Sequence, residues 1–212
     1  MTKPSKAPES RAGSLPLIGG ALALDFCNTA SGRGTDGTLD HITSVGHLLS
    51  WARHSGVIDE PADARLQRLC SADRSFGARL LARALALRDA AYRIDAALAQ
   101  GQTPDQDDID TVAGTHAACL ANGRLATRDG VFGWTWHLED APAEVILGPI
   151  AASAMSIVTA ADRARLKQCL GHHCGWLFLD TTKNNRRIWC EMDVCGNRAK
   201  QRRRRSRARD GD

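Results

Sequence analysis

The sequence predicts an α+β protein, with a mainly helical N-terminal domain that contains a small antiparallel sheet and a C-terminal treble-clef-like zinc finger. Apolar residues recur at helical spacing between residues 38 and 157, except in one stretch near residue 134 that alternates as a strand does. Four cysteines follow between residues 169 and 195. A chain of 212 residues that is 43% hydrophobic and 25% charged can build one core and a small appended module.

The first elements are predicted from composition and helix-end signals. Residues 1–14 are rich in Pro, Ser and Lys without an apolar period, so we expect a disordered tail before a domain at 15–165. A helix is predicted from Thr38 to Gly56, with one apolar face and a glycine after its end. Pro61 then opens a short helix, at a position where its missing N–H costs nothing.

Three further helices follow from the apolar period. The clearest spans residues 76–101, and its apolar positions are Leu80, Ala84, Leu87, Ala91, Ile94 and Leu98. Another is predicted from Asp105 to Ala121. A last helix begins after Pro142 and runs towards Leu166 and Cys169.

The stretch between these last two helices has strand periodicity. Phe132, Trp134, Trp136 and Leu138 alternate with small or polar residues, which predicts one large buried face. Asp129-Gly130 separates two such runs and is typical of a hairpin turn.

The cysteine cluster predicts a structural zinc site. It contains two Cys-x4-Cys pairs separated by fifteen residues, and the connecting sequence "GWLFLDTTKNNRRIW" is typical of a hairpin that folds the second pair back onto the first. Disulfides or four unrelated thiols are the alternatives, and His172 or His173 could replace one cysteine as a ligand. We predict one zinc ion on Cys169, Cys174, Cys190 and Cys195, and we expect Cys27, Cys70 and Cys119 to be core residues.

A strongly basic segment continues from the second pair. Residues 196–209 carry eight Arg and Lys residues and no acid, while the whole chain has a formal net charge of +4. Such an asymmetry favours a polyanionic partner. The alternatives to DNA binding are a solubility tail, a membrane-surface patch, or RNA whose bases stack on Trp176, Phe178 and Trp189. The predicted DNA contacts are Lys183, Arg186, Arg187, Arg198, Lys200, Arg202, Arg203, Arg204, Arg205, Arg207 and Arg209.

These residues carry a specific family resemblance. The pattern from Cys169 to Lys200, with Cys195-Gly196-Asn197-Arg198, resembles the CGNR zinc finger, and "ALDFCNT" at 23–29 resembles the N-terminal motif of the ABATE domain, with Cys27 where Val is usual. The resemblance implies a bacterial, cytoplasmic and nucleoid-associated transcription regulator. Its finger would bind DNA, and its body would sense a stress signal or a small-molecule effector. One finger makes few base contacts and so has limited specificity. The resemblance is therefore compatible with a homodimer, which would combine two fingers.

The sequence does not predict an enzyme. It has no P-loop, dinucleotide motif or nucleophile elbow, no apolar run long enough for a membrane span, and a four-thiolate zinc has no open position for water. Asp25, Asn28 and Arg88 are candidate ligand contacts, although such residues are also typical of caps, turns and buried pairs. The alternative function is a small-molecule-binding or protein-interaction body with the finger as an adaptor.

Overall fold

The computed structural model describes residues 10–33, 37–128, 130–160 and 163–209. Within these ranges the chain forms seven α-helices and three two-stranded antiparallel sheets, which confirms the predicted α+β class. None of these helices combines the length and the hydropathy that a membrane span requires.

The bounds of the elements are as follows. The helices are α1 (Leu22–Cys27), α2 (Val45–His54), α3 (Glu60–Ala72), α4 (Arg74–Ala99), α5 (Gln106–Ala121), α6 (Glu144–Val158) and α7 (Asn197–Arg209). The strands are β1 (Ala30–Ser31), β2 (Leu39–Asp40), β3 (Arg124–Arg128), β4 (Val131–Thr135), β5 (Leu166–Gln168) and β6 (Leu177–Leu179), and they pair β1–β2, β3–β4 and β5–β6.

Helix α4 forms the centre of the core and packs against α1, α2, α3, α5 and α6. It begins after Asp73, whose carboxylate accepts hydrogen bonds from the backbone N–H groups of Ser75 and Phe76. Its predicted apolar face is buried at Leu80, Ala84, Leu87, Ala91 and Ile94. The helical period therefore predicts this element correctly.

The first seven residues of the helix predicted at Thr38–Gly56 are not helical. Residues 39–40 form strand β2. Asp40 then turns the chain, because its carboxylate accepts a hydrogen bond from the backbone N–H of Ile42 at 2.8 Å. Helix α2 begins only after Ser44, whose hydroxyl accepts the N–H of His47 and caps the helix. A local side-chain bond therefore overrides the apolar period in this segment.

The hairpin of β3 and β4 has the predicted pairing, but the prediction of its burial is wrong. Phe132 and Trp134 are 72% and 45% exposed. Trp136, just past the strand, packs inwards instead: its indole N–H donates to the carbonyl of Cys119, and its ring lies against Gly148 of α6. The turn residue Asp129 lies outside the described residues.

Two segments near the ends of the body also differ from the prediction. Helix α6 ends at Val158 rather than running towards Cys169, and residues 166–168 form strand β5. Residues 10–14, assigned above to a disordered tail, contain a 3₁₀ turn at Ala12–Ser14 that packs on α2, and Ala12 is buried. Residues 1–9 of that predicted tail lie outside the described residues.

Candidate metal centre and nucleic-acid interface

The first cysteine pair lies in the tight loop that joins β5 to β6. The backbone N–H of Cys169 donates to the carbonyl of Trp176, and the N–H of Gly171 donates to the sulfur of Cys169 at 3.3 Å. Gly171 has no room for a side chain, since a Cβ there would lie 2.9 Å from the sulfur of Cys195. The loop therefore closes around the sulfurs and supplies an N–H···S bond of the kind that supports a metal ligand.

The connector between the cysteine pairs differs in part from the predicted hairpin. Strand β6 pairs with β5, before the first cysteine, and residues 186–190 return without forming a strand. The return is held by Asp180, which is fully buried and accepts hydrogen bonds from Lys167, from Thr182 and from the backbone N–H of Arg187. Against the opposing effect of burial, these bonds hold the pKa of Asp180 well below its usual range.

The second pair lies at the start of the basic helix. A π-helical turn at Met192–Gly196 carries Cys195, whose backbone N–H donates to the carbonyl of Glu191, and α7 follows directly. This turn brings the sulfur of Cys195 to 3.6 Å from that of Cys190, and the sulfur of Cys174 lies 3.6 Å from Cys190 on another side.

The four sulfurs fit one zinc ion. All four lie within 4.8 Å of one another. Tetrahedral zinc with bonds of about 2.3 Å places its sulfur ligands about 3.8 Å apart. Hydrogen bonds from Cys174 and Cys190 lower the pKa of Cys169, and the same bonds raise the pKa of the two donors. Without a metal the sulfurs therefore share protons, and a bound cation would be needed to hold all four as thiolates. A zinc dication would cancel two of the four thiolate charges and join the two pairs.

The two neighbouring histidines are not part of this cluster. His172 and His173 are exposed on the loop, and among the described residues only the four cysteines form a group that could hold a metal. The alternative in which a histidine replaces a cysteine has no support in this arrangement. The predicted cofactor, one structural zinc, is confirmed.

A basic cleft of about 300 Å³ lies between this loop and α7. Arg198, Arg202 and Arg205 line it together with His172. Offsets of four and seven residues place these three arginines on one face of α7. No ion pair or hydrogen bond to these arginine side chains is found in the described part of the chain. His173, slight burial and Arg202 lower the pKa of His172. The three arginines give the cleft a positive potential that favours anions.

The other predicted DNA contacts lie around the cleft or away from it. Lys200, Arg203 and Arg204 are exposed on other sides of α7, while the side chains of Arg207 and Arg209 lie outside the described residues. Lys183 and Arg186 are exposed on the connector. Arg187 is engaged within the finger: it donates to the carbonyls of Trp189 and Cys190 and lies 4.4 Å from the centre of the Phe178 ring. Its geometry is that of a structural residue.

Comparison with known families agrees with this geometry. The CGNR zinc-finger model matches residues 165–208, and the ABATE model, described as "Putative stress-induced transcription regulator", matches residues 20–161. The chain belongs to the ABATE family and carries a CGNR zinc finger. The resemblance seen in its motifs is thereby confirmed. No curated protein is significantly similar to the chain.

The three candidate ligand residues of the ABATE body make hydrogen bonds within the fold. The carboxylate of Asp25 accepts the backbone N–H of Gly19 at 2.8 Å. Arg88 is buried and makes a bidentate pair with Asp40. None of these candidates lines the cavities described here, and their polar groups are engaged within the fold, so the structure adds no support for a ligand site at Asp25, Asn28 and Arg88, which stays a prediction.

Asn28 joins the ABATE body to the CGNR finger. Its side-chain amide donates to the carbonyl of Leu177 and accepts the N–H of the same residue, at 2.9 and 2.8 Å. Leu177 and Leu166 of the finger are buried in the core of the body. Tyr92 of α4 adds a hydrogen bond to the carbonyl of Gly175, next to Cys174. Sequence reasoning missed this junction, because nothing local to Asn28 indicates a partner so far along the chain.

Proposed function

We propose that this protein is a transcription regulator that binds duplex DNA through its CGNR finger and has no enzymatic activity. The observation that carries the proposal is the basic cleft, where Arg198, Arg202 and Arg205 point to one side of α7 beside the zinc cluster. Arginine side chains without acidic partners are typical of phosphate-binding surfaces.

The contacts divide by their distance from the metal. Arg198 and Lys200 lie in the first turn of α7, next to Cys195, and the zinc cluster fixes their direction. We assign Arg198 an oriented phosphate contact on the cleft side and Lys200 an oriented contact in a groove. Arg202 and Arg205 follow on the cleft side of the helix and are the main phosphate anchors, which set register without reading sequence. The remaining arginines up to Arg209 lie on other sides of the helix or beyond the cleft and add weaker phosphate contacts. Lys183 and Arg186 supply a second backbone contact from the connector.

A salt titration of duplex binding tests the proposal. Zinc-loaded protein should bind a random-sequence duplex, and log K should fall linearly with log salt, by about 0.9 for each phosphate neutralised. The control is Arg68→Gln, which removes one exposed charge from the body and should leave the slope unchanged. Absence of duplex binding at low salt with zinc bound would contradict the proposal.

A second candidate, contact with another protein chain, is favoured by the β3–β4 hairpin. Leu125, Val131, Phe132 and Trp134 are 45–72% exposed there, which is unusual for four neighbouring apolar side chains. Sedimentation of the full chain over a range of concentrations tests for the homodimer: Phe132→Ser should weaken a dimer built on this hairpin, and a concentration-independent monomer would contradict it.

A further inference from the structure

A groove of about 560 Å³ lies on the finger, between the connector and the π-helical turn. Connector residues between 182 and 189 form most of its lining, and Met192 of the turn completes it. Within the described part of the chain, the lining contains no acidic side chain and none of the four cysteines. The volume falls in the range of about 300–1,000 Å³ that is usual for small-molecule sites.

The apolar part of the groove is unusually exposed. Ile188 and Met192 are 45% and 56% exposed, and Trp189 beside them is half-buried. Gly196 allows this arrangement, because a Cβ there would overlap the sulfur of Met192 and lie 3.2 Å from Cδ1 of Trp189. A tryptophan flanked by two exposed apolar side chains offers a surface on which a flat aromatic ring can stack.

The polar part of the groove is held in place by the body. Asn184 and Arg186 line the groove and are exposed, so they offer an amide and a guanidinium to a ligand. The side-chain amide of Asn185 donates to the carbonyl of Ala164, and the carbonyl of Asn185 accepts a hydrogen bond from Lys167. These bonds fix the backbone that carries Arg186. No ion pair is found for its guanidinium within the described ranges.

The charges around the groove suit a phosphate next to a neutral ring. Two arginines line the groove, and exposed Lys183 lies between two lining residues in the chain. One of the arginines, Arg187, donates to the carbonyl of Cys190, so its positive charge opposes the two negative charges that remain when four thiolates bind one zinc ion. The acidic residues nearest in sequence, Glu191 and Asp193, do not line the groove. A nucleotide has this combination of a neutral aromatic base and an anionic phosphate.

Leu170 joins this groove to the basic cleft. Its backbone N–H donates to the carbonyl of Ile188, which lines the groove, and the next residue, Gly171, lines the cleft. A DNA strand held by the arginines of the cleft therefore has a site for one of its bases on the same finger.

We propose that this groove binds one unstacked nucleobase of DNA, with the base stacked on Trp189 and an adjacent phosphate held by Arg186. Ile188 and Met192 flank the base. The assignment to DNA rests on the proposed function. A base reaches the groove only after it leaves the helical stack, and this costs least where the base is already unpaired. The groove therefore favours DNA with an unpaired base over fully paired DNA, and it does so with little sequence preference, because every base has an aromatic face.

The site itself is tested with short oligonucleotides. Pentathymidylate is titrated into zinc-loaded, ¹⁵N-labelled full-length protein, and an abasic pentanucleotide with the same phosphates is the matched control ligand. We expect only pentathymidylate to shift the indole N–H signal of Trp189, assigned with Trp189→Phe. Its dissociation constant should be at least about fivefold lower than that of the abasic strand. No shift at millimolar concentrations, or an equal shift with the abasic strand, would overturn the site.

Variants then separate the groove from the rest of the finger. The double substitution of Ile188→Ser and Met192→Ser should raise the dissociation constant for pentathymidylate at least about threefold, because the base then buries less apolar surface. It should leave the affinity for the abasic strand unchanged. Leu170→Ser removes an apolar side chain that is 65% exposed and lies outside the groove, so it should change neither affinity. Equal effects of the two variants, both with full zinc content, would contradict the assignment to the groove.

The preference for unpaired DNA is tested with two duplexes that differ by one bulged thymine. Wild-type protein should bind the bulged duplex at least about fivefold more tightly. The double variant should lose most of this preference, and Leu170→Ser should keep it. Equal affinity of the wild type for both duplexes would overturn the preference, and tighter binding of pentauridylate than of pentathymidylate would overturn the assignment to DNA. A protein that binds no duplex at all contradicts the proposed function, while the pentathymidylate titration still decides the site.

Discussion

Asp95 shows how a single residue can set the pH dependence of the fold. It lies on the buried side of α4, is 1% exposed, and both its carboxylate oxygens lack partners among the described residues. Burial raises its pKa to about 7. The unfolded chain, with an ordinary aspartate, ionises at lower pH, so the native state binds the extra proton between about pH 4 and pH 7. Stability therefore falls as pH rises through this window.

Asp95→Asn removes this ionisation and should stabilise the protein. The free energy of unfolding should rise by at most about 4 kcal/mol near pH 8, because ionising the buried carboxyl group costs about that much. The gain should shrink as the pH falls from 7 towards 4. Denaturant unfolding of wild type and variant at pH 5 and pH 8 measures it. An equal difference in unfolding free energy at the two pH values would show that Asp95 does not titrate in this range.

At the scale of elements, long periodic helices were predictable and short paired segments were not. The apolar period of α4 and the spacing of the four cysteines depend only on residues close in sequence, and the structure contains the predicted helix and cysteine cluster. Strand β5 is only three residues long, and its partner β6 lies beyond the cysteine loop, so no periodicity indicates their pairing. Phe132 and Trp134 alternate as core residues do, yet the hairpin exposes them to solvent, whereas Trp136 packs against Gly148 of α6.

Substitution of two helical glycines tests the packing of Trp136. A Cβ at Gly148 of α6 would lie 2.3 Å from the Trp136 ring, whereas a Cβ at Gly114 of α5 would meet no atom within 4 Å. Gly148→Ala should destabilise the protein by about 1–3 kcal/mol through overpacking. Gly114→Ala should stabilise it by up to about 1 kcal/mol through helix propensity. Urea unfolding compares them, and equal effects of the two substitutions would contradict the packing described for Trp136.

At the scale of the whole molecule, the finger has a small core of its own around the cysteines and also inserts two leucines into the core of the body. Leu166 and Leu177 belong to the finger and are buried among the helices of the body, and Asn28 hydrogen-bonds both polar groups of the Leu177 backbone. The stability of the body therefore depends on whether the finger is folded around its metal, although the sequence divides the chain into two domains near residue 165. Through these contacts, a conformational change in the body can be transmitted to the finger and to α7.

Removal of zinc should consequently destabilise the body as well as the finger. If the finger detaches, the body loses the burial of two leucines, worth about 1.5–3 kcal/mol each, so its free energy of unfolding should fall by about 3–6 kcal/mol. Denaturant unfolding followed by helical circular dichroism, with and without a chelator, measures the loss, and added zinc should restore stability. Cys195→Ser should reproduce the chelated state. An unchanged transition of the helical body would show that the two units fold independently.

The central claim is that the cleft side of α7, beside the zinc cluster, binds DNA phosphates. The most direct measurement compares two triple variants with equal loss of charge on that helix: Arg198, Arg202 and Arg205 to Gln, and Lys200, Arg203 and Arg204 to Gln. Salt titration of duplex binding by zinc-loaded proteins should show a slope reduced by about 2.7 in the cleft variant, three contacts at about 0.9 each, and a smaller change in the outward variant. Equal slopes for both variants would mean that α7 binds as an undirected basic tail, and the account would be contradicted.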